Sequence, residues 1–421
     1  MRGYVGMSNS PLRENPSSKE SCTVWPENPY ASPRTPTPAL DGLALAAQLE
    51  MFGAATVLGP PPAGDDKLAA RFAPPPPRPA IELDGEQLEA REAISDFLHG
   101  SRQHFSLQGL AGTGKTSLLA SLARELTDEA WLLAPTGKAA SVLSRKTGAP
   151  ASTLHKLLYA AVEVEGRVTF TKTREPGSLA GQLALVDEAS MVDEPLARDL
   201  LETGVRVIAS GDPGQLPPVN APAFFRTPDF TLTQVRRQAE GSAIIRQAHR
   251  IRDGLDYVTD GDAFQVITRR AAPDLDWADV VLCWRNDTRL RMNRFMRERR
   301  GIAPDASPQA GEPVICLQND PSGIMNGEVF LVAGYDPDRG IRLDAGPTIR
   351  KPWFEWLPGN DDRWRRSETP FALAYAITVH KAQGSEWPHV LVLDEFTGAD
   401  RARWLYTAVT RAQAALKIVR R

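Results

Sequence analysis

The chain has 421 residues, enough for two or three domains, and its 42% hydrophobic and 24% charged residues are typical of a globular protein. A net charge of -3 excludes a surface that is basic throughout, so any contact with nucleic acid is confined to a groove. Three widely spaced cysteines favour a reducing cytoplasm over a disulfide framework or a zinc site, and the lack of a long apolar run or a signal pattern argues against secretion and membrane insertion.

Residues 1–79 differ in composition from the rest of the chain. They are rich in Pro, Ser, Asn and Ala, contain proline runs at Pro60–Pro62 and Pro74–Pro77, and have one short apolar patch, Leu40–Val57, that could form a helix. This composition predicts a disordered, Pro-rich arm with a polyproline spacer. A docking tail for a partner has the same composition, and the two alternatives stay open.

From Ile81 onward, helical patterns alternate with short apolar strands, which is typical of a parallel sheet covered by helices on both faces. The predicted strands are Phe105–Gln108, Trp131–Ala134, Leu183–Val186 and Val205–Ala209, then, after an arginine-rich segment, Val280–Trp284 and Val390–Leu393. The fold class is therefore predicted to be α/β with two open parallel sheets. Such sheets bind ligands in the crevice at the carboxyl ends of their strands.

Two inserts interrupt this pattern. Val162–Phe170 alternates apolar and polar residues around a glycine, which predicts a small β-hairpin. The region from Ile302 to Glu368 has few helical periods, many Gly and Pro residues, and short β patterns at Glu328–Ala333 and Ile341–Leu343. We expect it to form a small β-barrel.

A phosphate-binding motif, G-x-x-x-x-G-K-[ST], lies at Gly109–Thr116, between a predicted strand and the helical run Ser117–Leu126. Its glycines let backbone N–H groups close around phosphate oxygens, Lys115 neutralises charge toward the terminal phosphates, and Thr116 is the expected Mg²⁺ ligand. The motif predicts a nucleoside triphosphate site. Its predicted contacts are Gly109, Gly112, Thr113, Gly114, Lys115, Thr116 and Ser117.

Two later strands end in residues suited to phosphoryl transfer. Leu183–Val186 runs into Asp187 and Glu188, of which Asp187 is the predicted Mg²⁺ ligand and Glu188 the residue that aligns water. The next strand runs into a Pro/Gly turn that holds Gln215, whose amide could sense a terminal phosphate. A turn without that role remains the alternative for this segment.

Eight segments in this order resemble the superfamily-1 DNA helicases, and most of all the RecD-like and Dda-like enzymes that move 5′ to 3′ on single-stranded DNA. The segments are Gly109–Thr116, Ala134–Ala140, Thr153–His155, Asp187–Ser190, Gly211–Pro218, Arg236–Gln238, Thr378–Glu386 and Tyr406–Ala412. The resemblance covers residue 80 to the end of the chain. It implies roles in DNA replication, recombination or repair.

The resemblance also assigns nucleotide contacts. Gln87 matches the glutamine that reads adenine, which makes ATP the expected substrate, and Glu386 matches a further nucleotide contact. Arg237 and Arg411 match the arginines that reach the γ-phosphate from the second motor domain, where an arginine finger is worth about 10³–10⁵ in rate. Arg236 is the alternative to Arg237. With Lys115, Asp187, Glu188 and Gln215, the two arginines form the predicted catalytic set.

DNA contacts follow from the same resemblance. They are Thr136, Lys138, Thr153 and His155 in the first domain and Thr378, His380, Lys381 and Ser385 in the second. Small hydroxyls and a few cations suit contacts to a nucleic-acid backbone. Trp284, Trp353, Phe354 and Trp356 are candidates for base stacking, with a place in the core as the alternative for each.

The implied architecture has two RecA-like motor domains. The first is 80–231, with the hairpin insert 160–180 in the place of the strand-separating pin; the second is 232–301 and 369–421, and 302–368 is an SH3-like insert. The expected function is an ATP-dependent DNA helicase that acts as a monomer on single-stranded DNA and duplex junctions, with single-strand-binding or replication proteins as possible partners of the arm. The alternatives are a translocase with little unwinding, a motor subunit of a nuclease complex, and a non-catalytic scaffold.

Overall fold

The computed structural model describes residues 81–126, 130–164, 167–218, 221–236, 241–268, 272–320, 322, 324–344, 346–357 and 368–420. The predicted arm, residues 1–79, lies outside the described residues, and so does Arg237. Within the described ranges, no helix is both long enough and apolar enough to cross a membrane.

The first half of the described chain forms a parallel sheet and a hairpin. Its elements are α1 (Gly85–His99), β1 (His104–Gly109), α2 (Lys115–Glu125), β2 (Ala130–Ala134), α3 (Gly137–Thr147), β3 (Ala151–Thr153), α4 (Leu154–Leu158), β4 (Tyr159–Val164), β5 (Arg167–Lys172), β6 (Leu183–Val186), α5 (Glu194–Glu202), β7 (Arg206–Gly211) and β8 (Phe230–Leu232). Six strands pair in parallel in the order β3-β2-β6-β7-β1-β8. β4 and β5 form the separate antiparallel hairpin.

The second half contains two further sheets. Its elements are α6 (Ala243–Arg252), β9 (Phe264–Ile267), α7 (Ala272–Trp277), β10 (Val280–Cys283), α8 (Asn286–Arg299), β11 (Pro313–Cys316), β12 (Val329–Asp336), β13 (Gly340–Leu343), β14 (Thr348–Ile349), β15 (Pro352–Phe354), β16 (Thr369–Leu373), β17 (Ala376–Thr378), α9 (Val379–Ala382), β18 (Trp387–Leu393), α10 (Arg401–Val409) and β19 (Ala412–Val419). The second sheet is parallel in the order β17-β10-β18-β19-β9. The third has the order β14-β13-β12-β11-β16-β15 and is antiparallel except for β15 and β16.

Both parallel sheets are buried on both faces, which explains why their central strands are apolar without alternation. In β6, Ala184 and Val186 join one apolar cluster, while Leu183 and Leu185 join the cluster on the opposite face. In the second sheet, the residues of β10 divide in the same way between two clusters. Helices are required on each face to cover these residues, and this is the α/β class that the sequence predicts.

Local signals define where the helices begin and end. α3 starts after Thr136, whose hydroxyl accepts a hydrogen bond from the Ala139 amide at 3.2 Å, and it ends at Gly148, which has the left-handed φ of 80°. α1 starts with a capping box between Asp84 and Gln87. These signals place the start of each helix at the carboxyl end of a strand or at the edge of the phosphate loop.

One predicted boundary differs from the structure. β16 lies just beyond Glu368, the predicted end of the insert, yet it pairs with β11 and β15 of the third sheet. The return to the second parallel sheet comes between β16 and β17. A buried β16 has the same apolar pattern as a parallel core strand, so composition could not separate the two.

Candidate nucleotide and nucleic-acid sites

The loop between β1 and α2 has the conformation that phosphate binding requires. Gly112 and Gly114 have left-handed φ values of 85° and 82°, and a Cβ on Gly109 would lie only 2.6 Å from Thr113 Oγ1. The Nζ of Lys115 donates to the Leu110 carbonyl at 3.0 Å, so the lysine lies along the loop. Thr116 and Ser117 follow in the first turn of α2, where backbone N–H groups have no partner within the helix.

Gln87 and Arg236 contact the same loop from the side of α1. The buried Gln87 donates from Nε2 to the Gly114 carbonyl at 3.0 Å. The backbone amide of Arg236 donates to the Gly112 carbonyl at 3.0 Å, and its guanidinium lies 3.3 Å from Asp84. Gln87 therefore lies at the predicted nucleotide site, and so does Arg236, the alternative to Arg237.

Asp187 and Glu188 lie at the carboxyl end of β6, two strands from the phosphate loop in the sheet order. Asp187 accepts a hydrogen bond from the Glu188 amide at 3.0 Å, and Glu188 has the left-handed φ of 54°, the one non-glycine residue with a positive φ among those described. Burial raises the pKa of both carboxyls, while the positive charge of Lys115 acts on both in the opposite direction.

Gln215 lies in the turn after β7, which is also at the carboxyl edge of the sheet. Its side chain is buried, and its Oε1 accepts no hydrogen bond from the described part of the chain. A buried amide oxygen without a donor is costly unless a ligand or water supplies one. This orphaned acceptor fits a site completed by a bound nucleotide or its attacking water.

The phosphate loop, Asp187, Glu188 and Gln215 line one side of a region that we call the nucleotide cleft. Arg411 reaches this cleft from the second domain. It is 4% exposed and donates from Nη1 to the Ser385 carbonyl at 3.3 Å. Its positive charge lowers the pKa of Glu188 more than any other neighbouring charge does. Lys115, Asp187, Glu188 and Arg411 are thus brought within electrostatic reach of one another. Glu386 is different, because it is exposed and accepts a hydrogen bond from Gln413 at 3.0 Å.

A cavity of about 350 Å³ is lined by residues that adjoin all three sheets. Six of the eight predicted DNA contacts line it: Thr136, Lys138, Thr153, His155, His380 and Lys381. Thr378 and Ser385 do not line it. Thr378 is buried at the start of α9, and Ser385 is buried beside Arg411. We call this cavity the interdomain groove.

Burial governs the electrostatics of the interdomain groove. It lowers the pKa of Lys138 and Lys381, and it lowers the pKa of both groove histidines, His155 and His380. An anionic partner favours the charged form of these side chains. The groove is therefore suited to a phosphate backbone.

The third sheet contributes groove residues that the sequence analysis did not identify. Asn319 and Asn326 line the groove, and Met325 packs so closely on the start of α3 that a Cβ on Gly137 would lie 2.0 Å from Met325 Cβ. Nothing in an irregular Asn/Gly-rich loop indicates in advance which domain it contacts. The interdomain contacts of Gln383, Tyr406 and Thr407 were also missed, because a local sequence pattern does not show which distant loop a side chain reaches.

Most of the aromatic candidates for base stacking belong to the core. Trp353 and Phe354 are buried in the third sheet, and Trp356 packs beside Phe354 and donates to the Ala306 carbonyl at 3.0 Å. Trp284 is partly exposed and lies 5.7 Å from the His380 ring, at the edge of the groove. The core alternative applies to Trp353, Phe354 and Trp356, because the first two are in β15 and Trp356 packs against the core of the third sheet.

Two parallel sheets that meet at a phosphate loop define a P-loop protein with two RecA-like domains. An AAA domain model matches residues 82–270, and a UvrD-like helicase C-terminal domain model matches residues 373–419. The ATP-dependent RecD2 DNA helicase of Deinococcus radiodurans is 33% identical over 362 residues, which cover 77% of this chain and 48% of the relative. Together these matches support a superfamily-1 helicase of the RecD, Pif1 and Dda type.

A second curated relative and a solved structure are also DNA helicases or share their fold. The ATP-dependent DNA helicase dda of Enterobacteria phage T4 is 31% identical over 208 residues, which cover 44% of this chain and 47% of that protein. The chain thus spans about half the length of these first two curated relatives. A crystal structure of Bacteroides Pif1 bound to ssDNA matches with a TM-score of 0.54 and 22% identity, over 80% of this chain and 92% of that one, which shows the shared fold.

Proposed function

We propose that this chain is an ATP-dependent motor that moves along single-stranded DNA in the 5′ to 3′ direction and separates duplex strands. The observation that carries the proposal is the convergence of six predicted DNA contacts, from both parallel sheets, on the interdomain groove. RecD2, dda and Pif1 are named as ATP-dependent DNA helicases, which supports the same activity here.

The cleft residues support ATP hydrolysis with a division of roles. Lys115 neutralises the terminal phosphates, Glu188 orients water and accepts its proton, and Gln215 offers the buried Oε1 to that water. Arg411, with Arg237 as its expected companion, stabilises charge on the transferring group from the second domain. Mg²⁺, which the oxygen ligands of Thr116 and Asp187 fit, would neutralise phosphate charge when bound.

Movement requires that hydrolysis change the grip on DNA. The groove is shared by the two parallel sheets, since Thr136 and Lys138 come from the first and His380 and Lys381 from the second. A shift of one parallel sheet relative to the other changes which of these two pairs of residues holds the DNA backbone. Contacts to the DNA backbone permit movement over any base sequence. DNA stacking averages about 1.4 kcal/mol per base-pair step, so a modest bias per ATP favours opening.

The test is Lys115→Ala. We expect it to abolish ATP turnover while binding of a fluorescent oligonucleotide at low salt stays close to wild type, because Lys115 lies in the cleft rather than in the groove. Turnover in the wild type should rise strongly with single-stranded DNA. Undiminished turnover in the variant would refute the site, and a wild type without DNA stimulation would refute the motor.

A translocase with little unwinding is the second candidate. The two strands of the hairpin, β4 and β5, have six residues each. So short a hairpin in the place of the strand-separating pin favours a protein that moves along DNA but separates strands weakly. Matched duplexes with 5′ or 3′ tails separate the two candidates and also test the direction. Strong ATPase without displacement of either duplex supports the translocase.

A further inference from the structure

α10 contacts two loops of the first domain through the buried hydroxyl of Tyr406. Tyr406 is fully buried, and its hydroxyl accepts a hydrogen bond from the Ala111 amide at 2.8 Å and donates one to Asp212 Oδ2 at 2.8 Å. Ala111 belongs to the phosphate loop, and Asp212 begins the turn that carries Gln215. One phenol of the second domain thus joins two catalytic loops of the first.

The same turn is held on its other side. Asp212 Oδ1 accepts a hydrogen bond from the Gly214 amide at 2.9 Å, and a Cβ on Gly214 would lie 2.9 Å from Tyr406 Cε1, so the edge atoms of the ring lie close to this turn. The Leu216 amide donates to Thr407 Oγ1 at 2.9 Å, and Gln383 Nε2 donates to the Leu216 carbonyl at 3.0 Å. Gln215 is therefore flanked on both sides by residues fixed to the second domain.

These contacts lie on the helix that leads to Arg411. Burial and the charge of Asp212 raise the pKa of the Tyr406 phenol, so its hydroxyl keeps the proton that it donates. Arg411 follows the end of α10 and donates from Nε to the Thr407 carbonyl at 3.1 Å. A change at Tyr406 would displace the helix end on which Arg411 depends, and displacement of about 1 Å can cost about 10²-fold in rate.

We propose that Tyr406 is a positioning residue: by joining the Ala111 amide to Asp212, it holds Arg411 and Gln215 in position relative to the phosphate loop. This inference rests on the proposed function. Tyr406 touches no reacting atom in this scheme. It acts through the loops that it connects, and it makes ATP hydrolysis depend on the contact between the two parallel sheets.

Tyr406→Phe tests the inference, because it removes the hydroxyl and keeps the ring. Tyr257→Phe is the matched control: its buried hydroxyl donates to Asp394 Oδ2 at 2.6 Å within the second domain, away from the cleft. We expect Tyr406→Phe to lower the DNA-stimulated kcat by about 10- to 100-fold with the KM for ATP within about threefold. The control should change neither value by more than about twofold.

Two further measurements separate positioning from a general loss of structure. Hydrogen exchange of peptides containing Ala111 and Gly214 should accelerate in Tyr406→Phe and not in Tyr257→Phe, a readout that requires no ATPase activity. In an Arg411→Ala background, Tyr406→Phe should lower the rate of single-turnover ATP hydrolysis by less than about twofold. Both changes remove the contribution of a correctly placed Arg411 to this rate.

Unchanged exchange, or full additivity with Arg411→Ala, would overturn the inference. Absence of DNA-stimulated ATPase in the wild type would instead overturn the proposed function. The exchange measurement gives its answer in either case, so the two failures are distinguishable.

Discussion

His155 and His380 both line the interdomain groove, His155 from the first domain and His380 from the second. Burial lowers the pKa of each below the ordinary value of 6.5, partly offset at His155 by Asp193. Both rings are therefore neutral at pH 7.5 and take up protons only as the pH falls through the lowered pKa. A bound phosphate favours the charged form, so binding and protonation are linked.

We expect single-stranded DNA to bind about fivefold more tightly at pH 5.5 than at pH 7.5, which corresponds to about 1 kcal/mol of added attraction in a solvated groove. Fluorescence anisotropy at constant ionic strength measures this ratio. The double variant His155→Asn/His380→Asn should remove most of it. His389→Asn, a change at a half-exposed histidine 3.3 Å from Asp279, should leave it intact. A ratio that survives in the double variant would contradict the assignment.

Sequence and structure agree best for residues that are defined by local geometry. Lys115, Asp187 and Gln215 follow strands whose carboxyl ends share one sheet edge, so the strand pattern predicts their neighbourhood. Tyr406 could not be found in this way, because the partners of its hydroxyl are 295 and 194 residues away in sequence. A tyrosine inside an apolar helix gives no sign of which loop its hydroxyl meets.

The β4–β5 hairpin is fastened to α5 by a charged cluster. Lys172 Nζ lies 2.5 Å from Asp199 and 3.1 Å from Glu202, and the Tyr159 hydroxyl donates to Asp199. Burial acts to raise the pKa of Asp199, but hydrogen bonds from Lys172 and Tyr159 hold it below its ordinary value. Asp199 is thus the anion that orients the hairpin base.

Asp199→Ala should weaken strand separation while it spares the motor. Since Lys172 is about half exposed, the loss of its ion pair with Asp199 should be modest, a factor of about five in the oriented population of the hairpin. Displacement of a tailed duplex should slow accordingly, with unchanged DNA-stimulated ATPase. Glu194→Ala, which removes an exposed partner of Arg198 on the same helix, is the control. Equal slowing by both changes would contradict a specific role for the hairpin base.

At the level of elements, long apolar runs are predictable and short strands are not. β1, β2, β6, β7, β10 and β18 lie within a few residues of the predicted strands. β3, β8 and β17 have three residues each, too few to show a period, and they form because longer neighbours offer hydrogen bonds. Tertiary pairing, rather than local pattern, determines these strands.

The third sheet is joined to the second parallel sheet by a buried ion pair. Arg297 on α8 donates from Nε to Glu312 Oε1 at 2.7 Å and from Nη2 to Oε2 at 2.8 Å, and both residues are at most 1% exposed. The remaining guanidinium donors bond the carbonyls of Pro304, Ala306 and Ser307. Such a pair is costly to break, because either partner alone is a buried charge.

Glu312→Ala should lower the free energy of unfolding by about 3–5 kcal/mol in urea denaturation. Glu125→Ala, which removes an exposed partner of Arg91 at 2.9 Å, should cost less than about 1 kcal/mol. Arg297→Met combined with Glu312→Leu should recover most of the loss, since no charge is then left buried. A cost for Glu312→Ala as small as that of the surface control would show that water reaches the pair.

Leu216 belongs by sequence to the first parallel sheet, yet its side chain is 4% exposed within the apolar cluster of the second. A fragment that ends before α6 would therefore lack the apolar cluster in which this leucine packs. It would also lack the hydrogen bonds from Gln383 and to Thr407 that hold the backbone of Leu216. We therefore expect the first domain, studied in isolation, to expose Leu216 to water and to lose the conformation of the turn that carries Gln215.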